Sequence, residues 1–381
     1  MKHLLTPMPL IFSPLWLVFV LTCIPCASVL LAQSDPQADS QAFAGKVRAL
    51  VAESFDADGP GVAILVSRNG VPLHLSGFGM ADVKAGKPIT PDSVFDLASV
   101  SKQFTGAAVL SLAEKGQLDL DAPVSTYLTD YSVPVKGRPV TVSDLLHHVS
   151  GLADYCSDDW TGTDEEFAEL TTGGHLEWLN TTTPRRAPGM KFEYNNSGYA
   201  TLSLIVERVS GQTFATCLKK YLFQPAGMHL TVISDGTSEF PARTVKGYLT
   251  TAKGKIRPSS SPTVITGDGN IYTSIRELAK WDAAIRRFEV LNKDSQTRAW
   301  SNGTLNKGRP IVDDEGDGYG CGWSIDQSRT LVFHTGSWDG TSTCMLMDLK
   351  DGFTVAVLSN DENADTQSLG DSILEIFQKE N

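Results

Sequence analysis

Ser99 and Lys102 lie three positions apart in Ala98-Ser99-Val100-Ser101-Lys102, at the start of a predicted helix. Residues three apart share one face of a helix, so the Lys102 amine can reach the Ser99 hydroxyl. A serine hydroxyl is a weak nucleophile until a neighbour takes its proton. A neutral lysine can take it where burial or nearby cations lower its pKa from about 10.4. The helix N-terminus adds N–H groups where negative charge would develop. Ser99 is the only serine in the chain followed three places later by lysine. Chance alone supplies on the order of one such match, so a helix-capping serine with a solvated lysine is the competing reading of this motif.

Two further groupings could complete a site. Tyr194-Asn195-Asn196 is the sole Tyr-x-Asn. There the Tyr194 hydroxyl could relay a proton and the Asn196 amide could hold a substrate carbonyl. The same residues also have the composition of a plain turn. His334-Thr335-Gly336 ends a predicted strand. A strand edge beside a serine can hydrogen-bond an extended substrate, and Gly336 would let that substrate approach the backbone closely. The Ser337 N–H could then join that of Ser99 in an oxyanion hole. A strand end running into a Gly-rich turn explains the same residues without chemistry.

The elements that must position these groups follow from periodicity and turn chemistry. Ala42–Phe55 carries apolar residues at helical spacing. Val62–Ser67 and Val71–Ser76 are apolar runs around Asn69-Gly70, a strong hairpin signal. Residues 99–115 read as a helix with Phe104, Ala108 and Leu112 on one stripe and Gly116 just past its end. The middle of the chain offers helices at Val142–His148, Thr163–Leu170, Ala200–Val209 and Ser274–Phe288. Strands return at Tyr319–Ile325, Thr330–His334, Thr341–Leu349 and Phe353–Leu358, with Asp351-Gly352 as a tight turn. Ser368–Lys379 closes as an amphipathic helix with Leu369, Ile373, Ile376 and Phe377 inward. We expect an α+β fold: an antiparallel sheet built from both chain ends, flanked by helices, plus a mainly helical subdomain.

In this order the three groupings resemble the serine β-lactamase and penicillin-binding-protein superfamily. Three more segments resemble its branch of class C β-lactamases, family VIII esterases and D-aminopeptidases. They are Thr141-Val142-Ser143-Asp144-Leu145-Leu146-His147-His148-Val149-Ser150-Gly151-Leu152, Phe192-Glu193-Tyr194-Asn195-Asn196-Ser197-Gly198-Tyr199 and Gly269-Asn270-Ile271-Tyr272-Thr273-Ser274. The likeness runs from about residue 40 to the C-terminus. It implies a β-lactamase/transpeptidase-like fold and a serine hydrolase with Ser99 acylated, Lys102 taking or shuttling its proton and Tyr194 assisting. Tyr194 would protonate the leaving group and activate the deacylating water. Asn196 would orient substrate, and the N–H groups of Ser99 and Ser337 would hold the oxyanion. No cofactor or metal is implied. His334 stands where many β-lactamases carry lysine. With a reference pKa of about 6.5 it is mostly neutral near pH 7. That favours a peptidase or esterase; a true β-lactamase or a non-catalytic penicillin-binding or sensor relative remain the alternatives.

Residues 1–32 form a separate unit. Lys2 and His3 precede an apolar stretch densest from Leu15 to Ile24, and small residues lead to a cut after Ala32. This is a signal-peptide pattern. It predicts an exported, periplasmic or secreted protein, with 33–40 a flexible lead-in and 41–381 the hydrolase domain. A retained anchor is the rival reading, interrupted by Pro9, Pro14 and Pro25. Only then would a membrane be a partner. The 381-residue chain has 32 Lys and Arg against 44 Asp and Glu, a formal charge of -12. Such acidity repels phosphate backbones, so nucleic acid is not an expected partner; the family resemblance implies a small-molecule or peptide substrate. Cys156, Cys217, Cys321 and Cys344 would remain after cleavage, either free or in one of three pairings. Asp313, Glu315, Asp317 and Gly318 imitate half a calcium loop, but Ser324 occupies the twelfth position. His147 and His148 read as a structural pair, and Trp338 as a residue of the cleft or of the packing.

Overall fold

The structure, a computed structural model, describes residues 36–380 apart from 238 and 262. The expected signal segment 1–32 lies outside the described residues. Seven antiparallel strands form the main sheet, in the order Gly318–Tyr319, Ser324–Ile325, Leu331–Trp338, Thr341–Asp348, Phe353–Ser359, Val62–Arg68, Val71–Phe78. The two chain ends meet in its middle, where Val62 pairs with Ser359 and Arg68 with Phe353. The predicted hairpin closes at Asn69 and Gly70, with φ of 51° and 76°. Two successive positive φ values are what a two-residue turn with the sheet's twist requires.

Strand residues alternate between the sheet faces. Val62, Ile64 and Val66 pack with Phe43, Val47, Ile373 and Phe377 under the two terminal helices, Pro36–Ala52 and Thr366–Glu380. Ala63 and Leu65 join the larger core with Val100, Phe104, Ala108 and Leu112. The Lys102–Glu114 helix is therefore sandwiched between the sheet and the helical region, and its first turn lies deep in the molecule. In that region Val142–Leu146, Asp164–Ala168, Asn196–Ser210 and Ile275–Arg286 occupy the predicted helical stretches.

The structure corrects several boundaries. The first helix begins at Pro36, inside the stretch expected to be a flexible lead-in. Proline suits a first helical position, and polar residues there carry no apolar period to betray a helix. Tyr319–Ile325 is not one strand. Its two ends pair with each other, Gly318 with Ile325 and Tyr319 with Ser324. Gly322, at φ 83°, turns there against the Lys102 carbonyl, which a Cβ would meet at 2.4 Å. The strand predicted to stop at His334 continues to Trp338. His334-Thr335-Gly336 thus lies inside it, and the turn falls later, at Asp339 and Gly340. Cys217, Cys321 and Cys344 are buried and free, and Cys156 is half-buried and free. In the acidic loop, Asp313 accepts the amides of Glu315 and Asp317.

One contact sets the sheet against the nucleophile's turn. A Cβ on Gly336 would lie 2.5 Å from the Leu97 carbonyl oxygen, 2.5 Å from Thr343 Oγ1 and 2.9 Å from the Ser99 nitrogen. Two of these neighbours are backbone and cannot swing aside. Gly336→Ala should therefore cost about 1–3 kcal/mol of stability. A denaturant midpoint equal to wild type would refute this.

Candidate active site

Phe95–Asp96 pairs with Ile271–Thr273, and the chain then enters a 3-10 turn, Ala98–Ser101, that leads into the Lys102–Glu114 helix. Ala98 has φ 45°, a left-handed conformation that costs a non-glycine residue of order 1 kcal/mol or more. The Asp96 carboxylate accepts the Ala98 N–H at 2.9 Å and holds that turn. Burial raises the Asp96 carboxyl to about 6, against hydrogen bonds from Ala98 and Tyr272.

Lys102 is fully buried. Its Nζ donates to Ser99 Oγ at 3.1 Å, to Asn196 Oδ1 at 2.8 Å and to the Asp268 carbonyl oxygen at 2.8 Å. An ammonium has three N–H groups, and all three are used. In the neutral amine two N–H groups suffice for Asn196 and Asp268, and the lone pair is left for the Ser99 hydroxyl. The helix-spacing expectation for Ser99 and Lys102 thus becomes a direct contact.

Asn196 opens the Asn196–Ser210 helix, capped by Asn195, whose side chain accepts the Gly198 N–H. Asp154 fixes the Asn196 amide. Its Oδ2 accepts the Asn196 backbone N–H at 3.0 Å and Nδ2 at 3.3 Å. A carboxylate only accepts, so Nδ2 faces Asp154 and Oδ1 faces Lys102. Burial raises the Asp154 carboxyl, opposed by these hydrogen bonds and by Lys102. Tyr194 places its ring 4.9 Å from Lys102 Nζ. Burial raises its phenol, opposed by the Lys102 charge and by hydrogen bonds with Lys102 and Ser99. Because Tyr194 is 37% exposed, solvent softens that push. Behind it stacks His148, with ring centroids 4.4 Å apart. The His148 Nδ1 accepts the Asn195 N–H, so the pair expected to be structural includes a wall of this site.

His334 is buried behind the strand. Its Nδ1 lies 2.6 Å from the Thr335 carbonyl oxygen and its Nε2 2.9 Å from the Tyr319 hydroxyl. The carbonyl can only accept, so Nδ1 carries the proton and Nε2 accepts from Tyr319. Burial, then the Lys102 charge, lowers the imidazole to about 3. Thr335, Gly336 and Ser337 continue along the strand, paired with Cys344, Thr343 and Ser342. The neighbouring strand on the other side pairs only with Val332 and Phe333. From His334 onward that edge is therefore unpaired by any strand, among the described residues. Gly336 lies against the Ser99 backbone, where the expectation was a close approach by substrate.

Ser99, Asn196, Tyr155, Asp268 and Trp338 line a narrow recess. Tyr155 and Trp338 also line a neighbouring cleft of about 620 Å³, together with Ser337, Asp158 and Asp339. Trp338 thus belongs to the cleft. Tyr155 donates from its hydroxyl to Asp268 Oδ2 at 2.6 Å. Sequence reasoning missed Asp96, Asp154, Tyr155, Asp268 and Tyr319. The only signal for three of them was position: Asp154 and Tyr155 directly follow Ser150-Gly151-Leu152-Ala153, and Asp268 directly precedes Gly269. Among the described residues no group of three or more His, Cys, Asp or Glu side chains is placed to hold a metal ion.

Similar proteins share this architecture. The chain is 29% identical over 325 residues to penicillin-binding protein 4* of Bacillus subtilis (strain 168), covering 78% of this chain and 68% of that one. Other curated relatives, at 26% identity, are covered over 59% of their length. The octameric penicillin-binding protein homologue from Pyrococcus abyssi superposes with a TM-score of 0.76 at 26% identity, over 90% of this chain and 78% of that one. A D-amino acid amidase from Ochrobactrum anthropi SV3 shares the fold, with a TM-score of 0.72 at 20% identity over 89% of this chain and all of that one. The beta-lactamase family model matches residues 43–377, a span that holds the whole cleft from the Ser99 turn to the Trp338 strand. With that match covering most of the chain, the chain belongs to the beta-lactamase family and is one of its serine hydrolases.

Proposed function

We propose that Ser99 forms an acyl-enzyme with an ester or amide substrate, and that the protein is an esterase or peptidase rather than a β-lactamase. The observation that supports this best is the Lys102 amine, 3.1 Å from Ser99 Oγ with its other two donor directions tied to Asn196 and Asp268. Lys102 takes the Ser99 proton as Oγ attacks the carbonyl carbon. The developing oxyanion is held by the N–H groups of Ser99 and Ser337. Tyr194, beside both Lys102 and Ser99, passes a proton to the leaving group. Asn196 and the open strand edge from His334 through Thr335 and Gly336 to Ser337 orient the substrate. Asp154 is a positioning residue that keeps Asn196 Oδ1 turned to Lys102.

The substrate preference rests on His334. A lysine at that place would offer a permanent positive charge, whereas this imidazole is neutral, buried and tied at both nitrogens. A penicillin-like carboxylate finds no cation there. The substrate is a small molecule or a peptide, and the amidase-like fold is consistent with an amide. We further propose that the protein is exported, on the leader pattern of residues 1–32.

Turnover of a p-nitrophenyl ester should fall at least about 10³-fold in both Ser99→Ala and Lys102→Ala, with both variants folded. Undiminished hydrolysis in either would remove the reading. Against the chromogenic cephalosporin nitrocefin, wild-type kcat/KM should lie about 10³-fold or more below that for the ester; comparable values would make the protein a β-lactamase. Asp154→Asn leaves one acceptor oxygen for the donors of Asn196 and Cys156, so an N–H must face one of them and the hold on the Asn196 amide is weakened. It should lower ester kcat about 10²-fold with little change in KM, since small misplacements of reacting groups cost that much. A change confined to KM would show that Asp154 serves binding instead.

A further inference from the structure

Asp154 steers the Asn196 amide, but what holds Asp154 itself lies farther from Ser99. Both of its backbone polar groups are taken by side chains of its own loop. Its N–H donates to Asp159 Oδ2 at 2.9 Å, and its carbonyl oxygen accepts the Ser157 hydroxyl at 2.7 Å. Those two side chains are gripped in turn by one guanidinium. Arg185 Nε donates to Asp159 Oδ2 at 2.6 Å, and Nη2 donates to Ser157 Oγ at 2.8 Å. A third donor, Nη1, reaches Glu193 Oε1 at 3.1 Å. Glu193 directly precedes Tyr194, and its backbone N–H donates to the His148 carbonyl oxygen at 2.9 Å. One side chain therefore fastens the segment that carries Asp154 and Tyr155 to the segment that carries Tyr194 and Asn196.

An isolated ion pair on the surface does little, because solvent and side-chain entropy offset most of its attraction. Arg185 is placed otherwise. The side chains of Arg185, Asp159 and Glu193 are only 29%, 27% and 25% exposed. A planar guanidinium can serve three acceptors in fixed directions, whereas a lysine offers a point charge on a flexible stem. The arms of the clamp are unequally backed. Glu193 has a second cation, with Arg186 Nε 2.9 Å from its Oε2. Asp159 is paired with Arg185 alone, among the described residues. The loss of Arg185 is therefore felt first at Asp159 and Ser157, and through them at Asp154.

We propose that Arg185 is a positioning residue for the reaction at Ser99, acting through Asp154. The proposal rests on the acyl-enzyme reading above and adds one residue to it. Without the guanidinium, the Asp159 carboxylate has no countercharge and turns toward solvent. The Asp154 N–H and carbonyl then lose their fixed partners, and the Asp154 carboxylate shifts. Asn196 Oδ1 no longer meets Lys102 at one distance, and the amine no longer meets Ser99 in one orientation. The substrate recess keeps its wall meanwhile. Tyr155 has its own ties, from its N–H to Ser197 Oγ at 3.1 Å and from its hydroxyl to Asp268 Oδ2 at 2.6 Å. The loss thus falls on turnover and not on binding.

The test is a double-mutant cycle on p-nitrophenyl ester turnover, with wild type, Arg185→Ala, Asp154→Asn and the double variant, each checked by its denaturant midpoint. Arg185→Ala should lower kcat about 10-fold or more and move KM by less than about 3-fold, since small misplacements of reacting groups cost up to about 10²-fold. The loss in the double variant should fall short of the product of the two single losses by about 5-fold or more, as coupled residues require. Wild-type kcat in folded Arg185→Ala overturns the proposal. So does a loss confined to KM. Single losses that simply multiply also overturn it, because they would make Arg185 act by a route other than Asp154. If Arg185→Ala does not fold, Arg185→Lys takes its place in the same cycle, and wild-type kcat or independent losses there overturn the proposal equally. Undiminished turnover in Ser99→Ala would remove the acyl-enzyme reading and this proposal with it, whereas wild-type kcat in Arg185→Ala removes this proposal alone.

Discussion

A buried lysine amine holds the centre of this molecule together. Removing an ammonium from water costs several kcal/mol unless its protons find good acceptors. Lys102 finds three, and two of them come from distant parts of the chain. Ser99 is one helical turn away, Asn196 is 94 residues on and the Asp268 carbonyl is 166 residues on. No local segment could bury this side chain by itself. The sheet, the helix that starts at Asn196 and the loop before Gly269 must all be in place before the amine is satisfied. The site is therefore a consequence of the whole fold, and the fold bears a polar centre because the site lies in it.

Around that amine the acids divide the work by which atoms they leave free. Asp96 stabilises the left-handed Ala98 turn that presents Ser99. Asp154 decides which way the Asn196 amide points. Asp268 offers its backbone oxygen to Lys102 and a carboxylate oxygen to Tyr155, and keeps one oxygen unused. Burial pushes all three carboxyl groups upward, while hydrogen bonds pull each back. Burial is the larger influence on each, so all three carboxyl groups stay above the ordinary carboxylate range despite their donors.

What could be read from sequence was what is local. Ser99 and Lys102 were legible because both sit in one helical turn. The Val62–Arg68 and Val71–Phe78 hairpin was legible because Asn69-Gly70 can take two positive φ values. Asp154, Tyr155 and Asp268 were not legible, because their partners lie 42 and 113 residues away and no spacing rule connects them. The strand through His334 was cut short because Gly336 looked like a stop. In three dimensions that glycine is there for the contact with Leu97 and Ser99, and the strand runs on. The Gly318–Ile325 stretch failed for a related reason: Gly322 turns the chain so that it can lie against the Lys102 carbonyl. Glycines chosen for tertiary approach imitate glycines that end elements.

The same geometry decides which charges a substrate meets. His334 contributes none, since Tyr319 and the Thr335 carbonyl hold it as a neutral imidazole in a dry position. The recess beside Ser99 has Asp268 and Asp96 in its wall, and Asp154 stands directly behind Asn196. Farther out, the cleft is lined by Asp158, Asp164, Asp339 and Glu362 with no Lys, Arg or His among its lining residues. Among the described residues Lys102 is the one basic side chain hydrogen-bonded to Ser99 Oγ, and its other contacts are to Asn196 and Asp268. An anionic group on the substrate would thus be desolvated beside carboxylates, at a cost that falls off only over about a Debye length of 8–10 Å at ordinary ionic strength. A neutral or cationic ester or amide has no such penalty. The replacement of a lysine by His334 and the acidity of the outer cleft are separate features of the sequence, and both turn the binding preference in the same direction.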